Sequence, residues 1–566
     1  MKKSKKTIAI FIAALLCLSL LAACGGGNNA TDNENNNTSN EGAQSTNTGS
    51  NNTNSSNSSP NTSISPPTAS VDVAGTVAPP SGDTVKFADE IMMIIDNSVV
   101  SVMNPFLPGA GSPANGWTYN MIYDRLIYPV AVGQYDPYLA TRWETDDYQT
   151  FTFYLREDVY FQNGEKFTAN DVVWTVNTAK ESVGSGASTQ WSYVKEATAI
   201  DEYTVQLVLN NVNVDFLFFI SNSACGIVNE KAMKDDPENG ARVGTGAYRI
   251  TEFVADNYWV LERNDNYWGD PPITRKVTMT FIPEMGTRTI MMLNGEAQIS
   301  FRISDEDLQV FIDDPGFNVN TYVLNNPNPI WFNLTHPICG NYDFRMAVAS
   351  ALDREEIAMG VAGDYALDGG TDGSYWGYGS EFRNTSIPVV PYDLEAAKKY
   401  LEASPYNGEV IEIATSNASL IKASEIVQQQ LNRIGLKTEI QTFDGPGLNI
   451  YGNPENSQVQ MSVSVVGMSL NASSFRNTVY PGTSSNRTFY NNPAVTELLD
   501  RAAGELDYEK RREIWMEVQR LIAEDPPFFN LFWRLSAIVA DKGVGGFTMP
   551  ADAAYDLRYM YWQIEG

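Results

Sequence analysis

An α/β fold divided into two or three lobes is predicted for this chain. Three observations predict it. Strand-like and helix-like segments alternate from about residue 86 to the end. A strand, an amphipathic helix and a second strand follow one another between Val410 and Phe443, the sign of a parallel pair with a right-handed crossover. About 480 residues lie beyond a polar N-terminal stretch, more than one hydrophobic core accommodates.

The first segment is a targeting signal rather than part of the fold. Lys2, Lys3, Lys5 and Lys6 open the chain, an uncharged stretch runs from Thr7 to Ala23, and Cys24 follows. A basic region, an apolar region and small residues before a cut site make a secretory signal. Leu21-Ala22-Ala23-Cys24 resembles the bacterial lipobox. That resemblance implies a lipoprotein signal peptide over 1–23 and Cys24 as the lipidated first residue of the mature chain. An uncleaved membrane anchor is the alternative, although a span needs about 20 apolar residues. Residues 24–87 are expected to form a disordered tether. They are dominated by Asn, Ser, Thr and Gly, with Pro66-Pro67 and Pro79-Pro80, and hold little apolar surface with which to fold. A flexible coil of about 60 residues spans roughly 40–45 Å. Asn-x-Ser/Thr sequons occur in it, as they do by chance in any such composition.

The folded part begins with Glu90-Ile91-Met92-Met93-Ile94-Ile95, a buried strand. Thr150-Phe151-Thr152-Phe153-Tyr154-Leu155 alternates with period 2, a strand with one buried face. Asn163-Gly164 is a turn. Thr168 with Asp171 is a capping box with Asp in place of Glu, opening a helix that carries Val172, Val173 and Val176 on one stripe. Helices are predicted over Phe344–Gly360, Leu394–Ala403 and Ser419–Ile434, the last stopped by Gly435. Val410–Ala414 and Leu436–Phe443 are the strands around that last helix.

The formal net charge is −30, and loss of the signal takes away four positive charges, to −34. Such a surface repels nucleic acid and anionic lipid and is compatible with plain solubility. Cys225 and Cys339 are the cysteines left after Cys17 and Cys24; a disulfide and two buried thiols both remain open. His336 is the only histidine. No Gly-x-Ser-x-Gly elbow supplies a nucleophile for it, and no zinc-ligand spacing surrounds it, so no catalytic residue, cofactor or metal is assigned. A glycosidase needs only two carboxylates, so a secreted hydrolase stays an alternative.

Ordered motifs then carry a resemblance. Tyr123-Asp124-Arg125-Leu126 and Leu139-Ala140 precede Trp143-Glu144-Thr145-Asp146-Asp147, Thr150–Arg156, Val159–Gly164 and Phe167–Val173. Gly244-Thr245-Gly246-Ala247-Tyr248 and Arg263–Trp268 come next. Phe344-Arg345-Met346-Ala347, Ala351-Leu352-Asp353-Arg354, Tyr392-Asp393 with Ala396-Ala397-Lys398, and Gln428–Leu431 with Ile434-Gly435-Leu436 close the set. Over residues 88 to 566 this order resembles the family 5 extracellular solute-binding proteins, the peptide, nickel and oligosaccharide receptors of ABC importers. The motifs themselves read as structural: Gly244-Thr245-Gly246 as a crossing between lobes rather than a phosphate loop, and Asp353-Arg354 as a helix-end pair.

The resemblance implies a two-lobed periplasmic-binding-protein-like fold (type II, cluster C) with an extra subdomain and a central cleft. Lobe I is expected over 88–117, 223–325 and 526–566, the subdomain over 118–222, and lobe II over 326–525. It further implies capture of a small solute by lobe closure and delivery to an ABC permease with cytoplasmic ATPase subunits. The expected protein is a monomer on the outer face of the bacterial cytoplasmic membrane, of Gram-positive type, held by its lipid alone and binding no nucleic acid. Peptide-binding relatives hold the ligand α-ammonium with an aspartate in a Gly-Trp-x-x-Asp-like stretch. The aligned Val466–Arg476 has neither that Asp nor that Trp. A peptide ranks first, and an oligosaccharide or other neutral solute is the alternative. Candidate ligand residues are Asn104, Trp117, Tyr119, Trp331, Asn333, Trp376, Tyr378, Met468, Ser469 and Arg476, each of which has core packing or surface exposure as its other reading. A tethered sensor with the same fold is a further alternative.

Overall fold

The computed structural model describes residues 85–565 except 96–102, 108–112, 132, 183–184, 302, 324–326, 368–372, 378–379, 381, 444–447, 449–457, 466–470, 484 and 548–556. The signal, Cys24, Tyr378, Met468 and Ser469 therefore lie outside the described residues, as does nearly all of the tether.

Apolar runs and alternating segments supply the strands. β1 (Glu90–Ile95) pairs in parallel with strands on both sides, and its apolar run suits a position buried on both faces. Helix α1 (Pro113–Ile122) follows. β2 (Ala140–Glu144), β3 (Thr150–Leu155), β4 (Val194–Asp201) and β5 (Thr204–Leu209) form an antiparallel sheet in the order β2-β3-β5-β4. In β3 every second residue is buried, as its period-2 pattern predicts. Helix α2 (Ala169–Glu181) begins at the predicted capping box: Thr168 N–H and Oγ1 donate to Asp171 Oδ2 at 3.0 and 3.1 Å. Val172 and Val176 are buried and Val173 is half-buried. Short helix α3 (Phe216–Ile220) ends this region.

β6 (Tyr248–Val254), β7 (Tyr258–Arg263) and β8 (Lys276–Phe281) extend the sheet that holds β1, and β9 (Ile299–Phe301) and β10 (Phe317–Val323) follow. β11 (Asn328–Phe332) opens the second half. Helices α4 (Tyr342–Ala351), α5 (Arg354–Ala362) and α6 (Leu394–Ala403) come next. The predicted parallel unit is present as β12 (Ile411–Thr415), α7 (Ala418–Asn432) and β13 (Thr438–Thr442), with Gly435 at φ +84° ending the helix. β14 (Met461–Val463), α8 (Ser473–Val479), α9 (Pro493–Gly504) and α10 (Tyr508–Glu524) lead to β15 (Phe528–Asp541).

The large sheet runs β13-β12-β14-β11-β15-β9-β1-β8-β7-β6, with β10 also on β15. β15 is the join. Phe528–Phe532 pairs with β11, and Leu535–Asp541 pairs with β10. The side chains of this strand enter separate cores. Phe529 and Phe532 pack with Ile330, Phe344 and Val427; Phe528 packs with Trp376, Phe475 and Trp515. Further along, Ala537 and Val539 pack with Ile94 and Phe311, while Ile538 packs with Met93, Phe151 and Trp191.

One expectation is corrected. The single helix predicted over Phe344–Gly360 is two helices. Asp353 interrupts it by accepting from Glu356 N–H at 3.0 Å, the N-cap bond that competes with helix continuation, and Arg354 donates to Val390 O at 2.9 Å. Gly244-Thr245-Gly246 is a close-packing site. A Cβ at Gly244 would stand 1.9 Å from Ile122 O, and one at Gly246 2.5 Å from Met121 O. Between them Thr245 donates to the buried Asp124 at 2.9 Å, which also accepts from Trp268 Nε1 at 2.8 Å and Tyr267 OH at 3.3 Å. Three motifs far apart in sequence thus meet on one carboxylate.

The open question about the cysteines resolves as two buried free thiols. Burial raises both, Cys339 to about 12. His336 closes a turn: its Nδ1 accepts from Ile338 and Cys339 N–H, each at 3.3 Å, and its Nε2 lies 3.4 Å from Gln460 Nε2. Burial lowers its pKa, so the neutral ring is the folded form.

Gly244→Ala is expected to cost about 1–3 kcal/mol by overpacking against Ile122. Gly504→Ala, with open space around it, is expected to be near neutral in the same urea titration. A depressed folded pKa at His336 makes its contribution complete above the unfolded value of about 6.5 and progressively lost as pH falls below that value and through the lower folded one. The loss of stability between pH 7.5 and 5.5 should therefore be smaller in His336→Asn than in the parent; an equal or larger loss would contradict the assignment.

Candidate functional site

The carboxyl ends of β12, β13 and β14 lie together, because these strands are parallel. β11 enters antiparallel at that edge, with Ser464 N–H donating to Pro329 O at 3.3 Å. In α/β sheets the space beyond such ends is where ligands sit.

On β11, Ile330 and Phe332 enter one core and Trp331 between them faces the other side of the sheet, 4.7 Å from the Phe528 ring. Trp331 lines a cavity with Phe332, Asn333, Leu448, Val459, Ser462, Ser464 and Arg487. Its indole N–H is buried and has no hydrogen-bond partner among the described residues. Burial lowers the pKa of the Arg487 guanidinium. A desolvated guanidinium favours a carboxylate or other strong acceptor as partner. Hydroxyls and an indole beside it are donors suited to the same groups.

A second group of residues lies between two cores. Val214 N–H donates to Ala503 O, at the end of α9, at 3.0 Å. Asp215 Oδ1 accepts from Asn471 Nδ2 at 3.3 Å, and Oδ2 accepts from Ser473 Oγ. Tyr193 stacks on Phe219 at 4.4 Å close to these charges, and burial raises its pKa, with Arg476 opposing.

The candidate ligand residues are not gathered into one place. Trp331 and Asn333 share the cavity, although the Asn333 amide is already engaged by Val459 O at 2.9 Å and by Thr335. Trp117 is buried against Phe301 at 4.6 Å, and Tyr119 is buried with its hydroxyl on Asn115 at 3.2 Å. Trp376 is 1% exposed and wedged between Phe475 and Trp515. Asn104 accepts from Phe106 N–H in a local turn. Arg476 is held by Asp500 at 2.7 Å and lies over the Tyr480 ring. Arg487 and Asp215 escaped the sequence reading. One sits in a polar Ser-Ser-Asn-Arg-Thr run and the other in an Asn-Val-Asn-Val-Asp loop, and neither has a periodic pattern that announces a partner.

Among the described residues no cluster of His, Cys, Asp and Glu is arranged to hold a metal ion, and no helix is long and apolar enough to cross a membrane.

Comparisons with known proteins agree with this architecture. The dipeptide-binding protein DppE of Bacillus subtilis is 24% identical over 530 residues, covering 85% of this chain and 93% of its own. Heme-binding protein A of Haemophilus influenzae is 25% identical over 499 residues, covering 79% and 89%. The structure of DppA from Helicobacter pylori in complex with the peptide STSA superposes with a TM-score of 0.74, at 22% identity over 84% of this chain and 99% of that one. The fold is therefore the two-lobed one of these binding proteins, which are receptors and not enzymes. The model of the bacterial extracellular solute-binding proteins, family 5, matches residues 134–489, and the chain belongs to that family.

Proposed function

We propose that this is a lipid-anchored extracellular substrate-binding protein that encloses a solute, a peptide first, between two lobes and delivers it to the permease of an ABC importer. The observation that carries the reading is β15, one strand whose side chains enter both the core around Met93 and the core around Ile330. Two bodies joined along so narrow a seam close by bending near it, and a solute that touches both favours the closed form. The lobe limits expected from the sequence, with crossings near 223, 325 and 525, belong to this proposal. So do the lipid on Cys24, the outer face of a Gram-positive cytoplasmic membrane and the monomeric state.

Relatives named for dipeptides, and one bound to a tetrapeptide, support the peptide class. The half-buried Arg487 beside Trp331 suits a peptide carboxylate. The second reading, an oligosaccharide or other neutral solute, is favoured by the Trp331 ring beside Ser462 and Ser464, since sugars use a ring face together with hydroxyl partners.

Calorimetry with free di- to pentapeptides and with short α- and β-linked oligosaccharides separates the two. Tight peptide binding, with compaction in small-angle scattering at saturation, is the expected outcome. Sugar binding that weakens in Trp331→Ala would transfer the assignment to the second reading, and saturation without compaction would remove the closing motion. For the anchor, Cys24→Ala is expected to abolish incorporation of labelled fatty acid; unchanged labelling would place the lipid elsewhere.

A further inference from the structure

We propose that Asp215 is a positioning residue that sets the balance between open and closed forms of the empty protein. It does so by tying the loop before α3 to the segment that leads into α8. The proposal rests on the reading of the separate cores as moving lobes.

Asp215 stands at the N-cap of α3, where a carboxylate ordinarily accepts from an amide of its own helix. It makes no such bond. Its two oxygens instead accept from Asn471 Nδ2 and Ser473 Oγ, more than 250 positions away in the sequence. Asn471 is oriented for this by its other end, since its Oδ1 accepts from Ser473 N–H at 2.8 Å. The adjacent Val214 N–H donates to Ala503 O, a second bond in the same direction.

The two sides are anchored in different cores. Phe216 and Ile220, directly after Asp215, pack with Phe151 and Trp191. Ala472 and Phe475, around Ser473, pack with Trp376 and Trp515. Separation of those cores breaks the Asp215 and Val214 bonds together. It also frees the carboxylate to cap its own helix, so part of the loss is recovered in the open form. A strap with that compensation keeps the two forms close in free energy, where a solute of modest differential affinity tips the balance. The strap also touches the first described residues of the segment 471–476, and so couples closure to the stretch in which the sequence departs from its peptide-binding relatives.

The test uses the complete protein with no solute present. Amide-resolved hydrogen exchange reads the Val214 amide, whose partner is Ala503 O, in Asp215→Ala, Ser473→Ala and the double variant. Both single variants are expected to accelerate Val214 exchange about tenfold, equivalent to 1.4 kcal/mol. The double variant is expected to go no further. The Phe219 amide, bonded to Asp215 O within the first lobe, and the Phe153 amide in β3 should keep parental rates. An unchanged Val214 rate overturns the proposal. Acceleration shared by Phe219 and Phe153 also overturns it, because it marks a local folding defect. Effects that add in the double variant overturn the pairing of Asp215 with Ser473. Ser473→Ala acts from the opposite side and keeps the test decisive if Asp215→Ala folds poorly. Since no solute is used, the result stands whether or not the calorimetry finds a peptide.

Discussion

Strand β15 pairs through Phe528–Phe532 with β11 and through Leu535–Asp541 with β10, so one continuous backbone serves ladders in both halves of the molecule. A strand in that position has both faces covered, and the run Phe-Phe-Asn-Leu-Phe-Trp-Arg-Leu-Ser-Ala-Ile-Val-Ala-Asp is correspondingly buried almost throughout. Its register fixes where each half begins: Phe532 opposes Asn328 at the start of β11, and Leu535 opposes Val323 at the end of β10. Between those pairs, Trp533 and Arg534 pair with Leu367 and Ala366.

The entry to this strand is held from one side. Arg345 on α4 is 2% exposed and ion-pairs with Asp525, just before β15, while its Nη1 donates to Gly340 O at 2.5 Å. Asp525 is 57% exposed, so solvent screens the pair, and its removal costs less than the loss of a partner in a fully buried pair. On the other side, Asp124 gathers Thr245, Tyr267 and Trp268. The residues that recur as sequence motifs therefore work as internal fastenings.

Trp331 is expected at a cleft from loop context and lobe position, and the structure sets it on β11 at a cavity. Trp376 carried the same signal and is instead enclosed by Phe475 and Trp515. Aromatic character alone does not distinguish the two, because both burials remove the same apolar surface from water. Arg476 drew attention as a cation in the aligned stretch, yet Asp500, one helix later, holds it. Burial also lowers the pKa of Arg487, which stands beside Trp331 and Ser462 only because strands from distant parts of the chain are brought together.

Local pattern by itself determined much of the fold. The period-2 burial of β3, the Thr168–Asp171 cap, and the β12-α7-β13 unit with its Gly435 stop are all decided by neighbours within a few residues. The order of the motifs likewise determined the family. Tertiary structure alone decided which helix Asp353 would cap, which carboxylate Thr245 would meet, and that Asp215 would leave its own helix for Asn471 and Ser473. In each case a short polar side chain chooses between a local donor or acceptor and a distant one of similar strength. Only the packing of the cores decides which of the two is within reach.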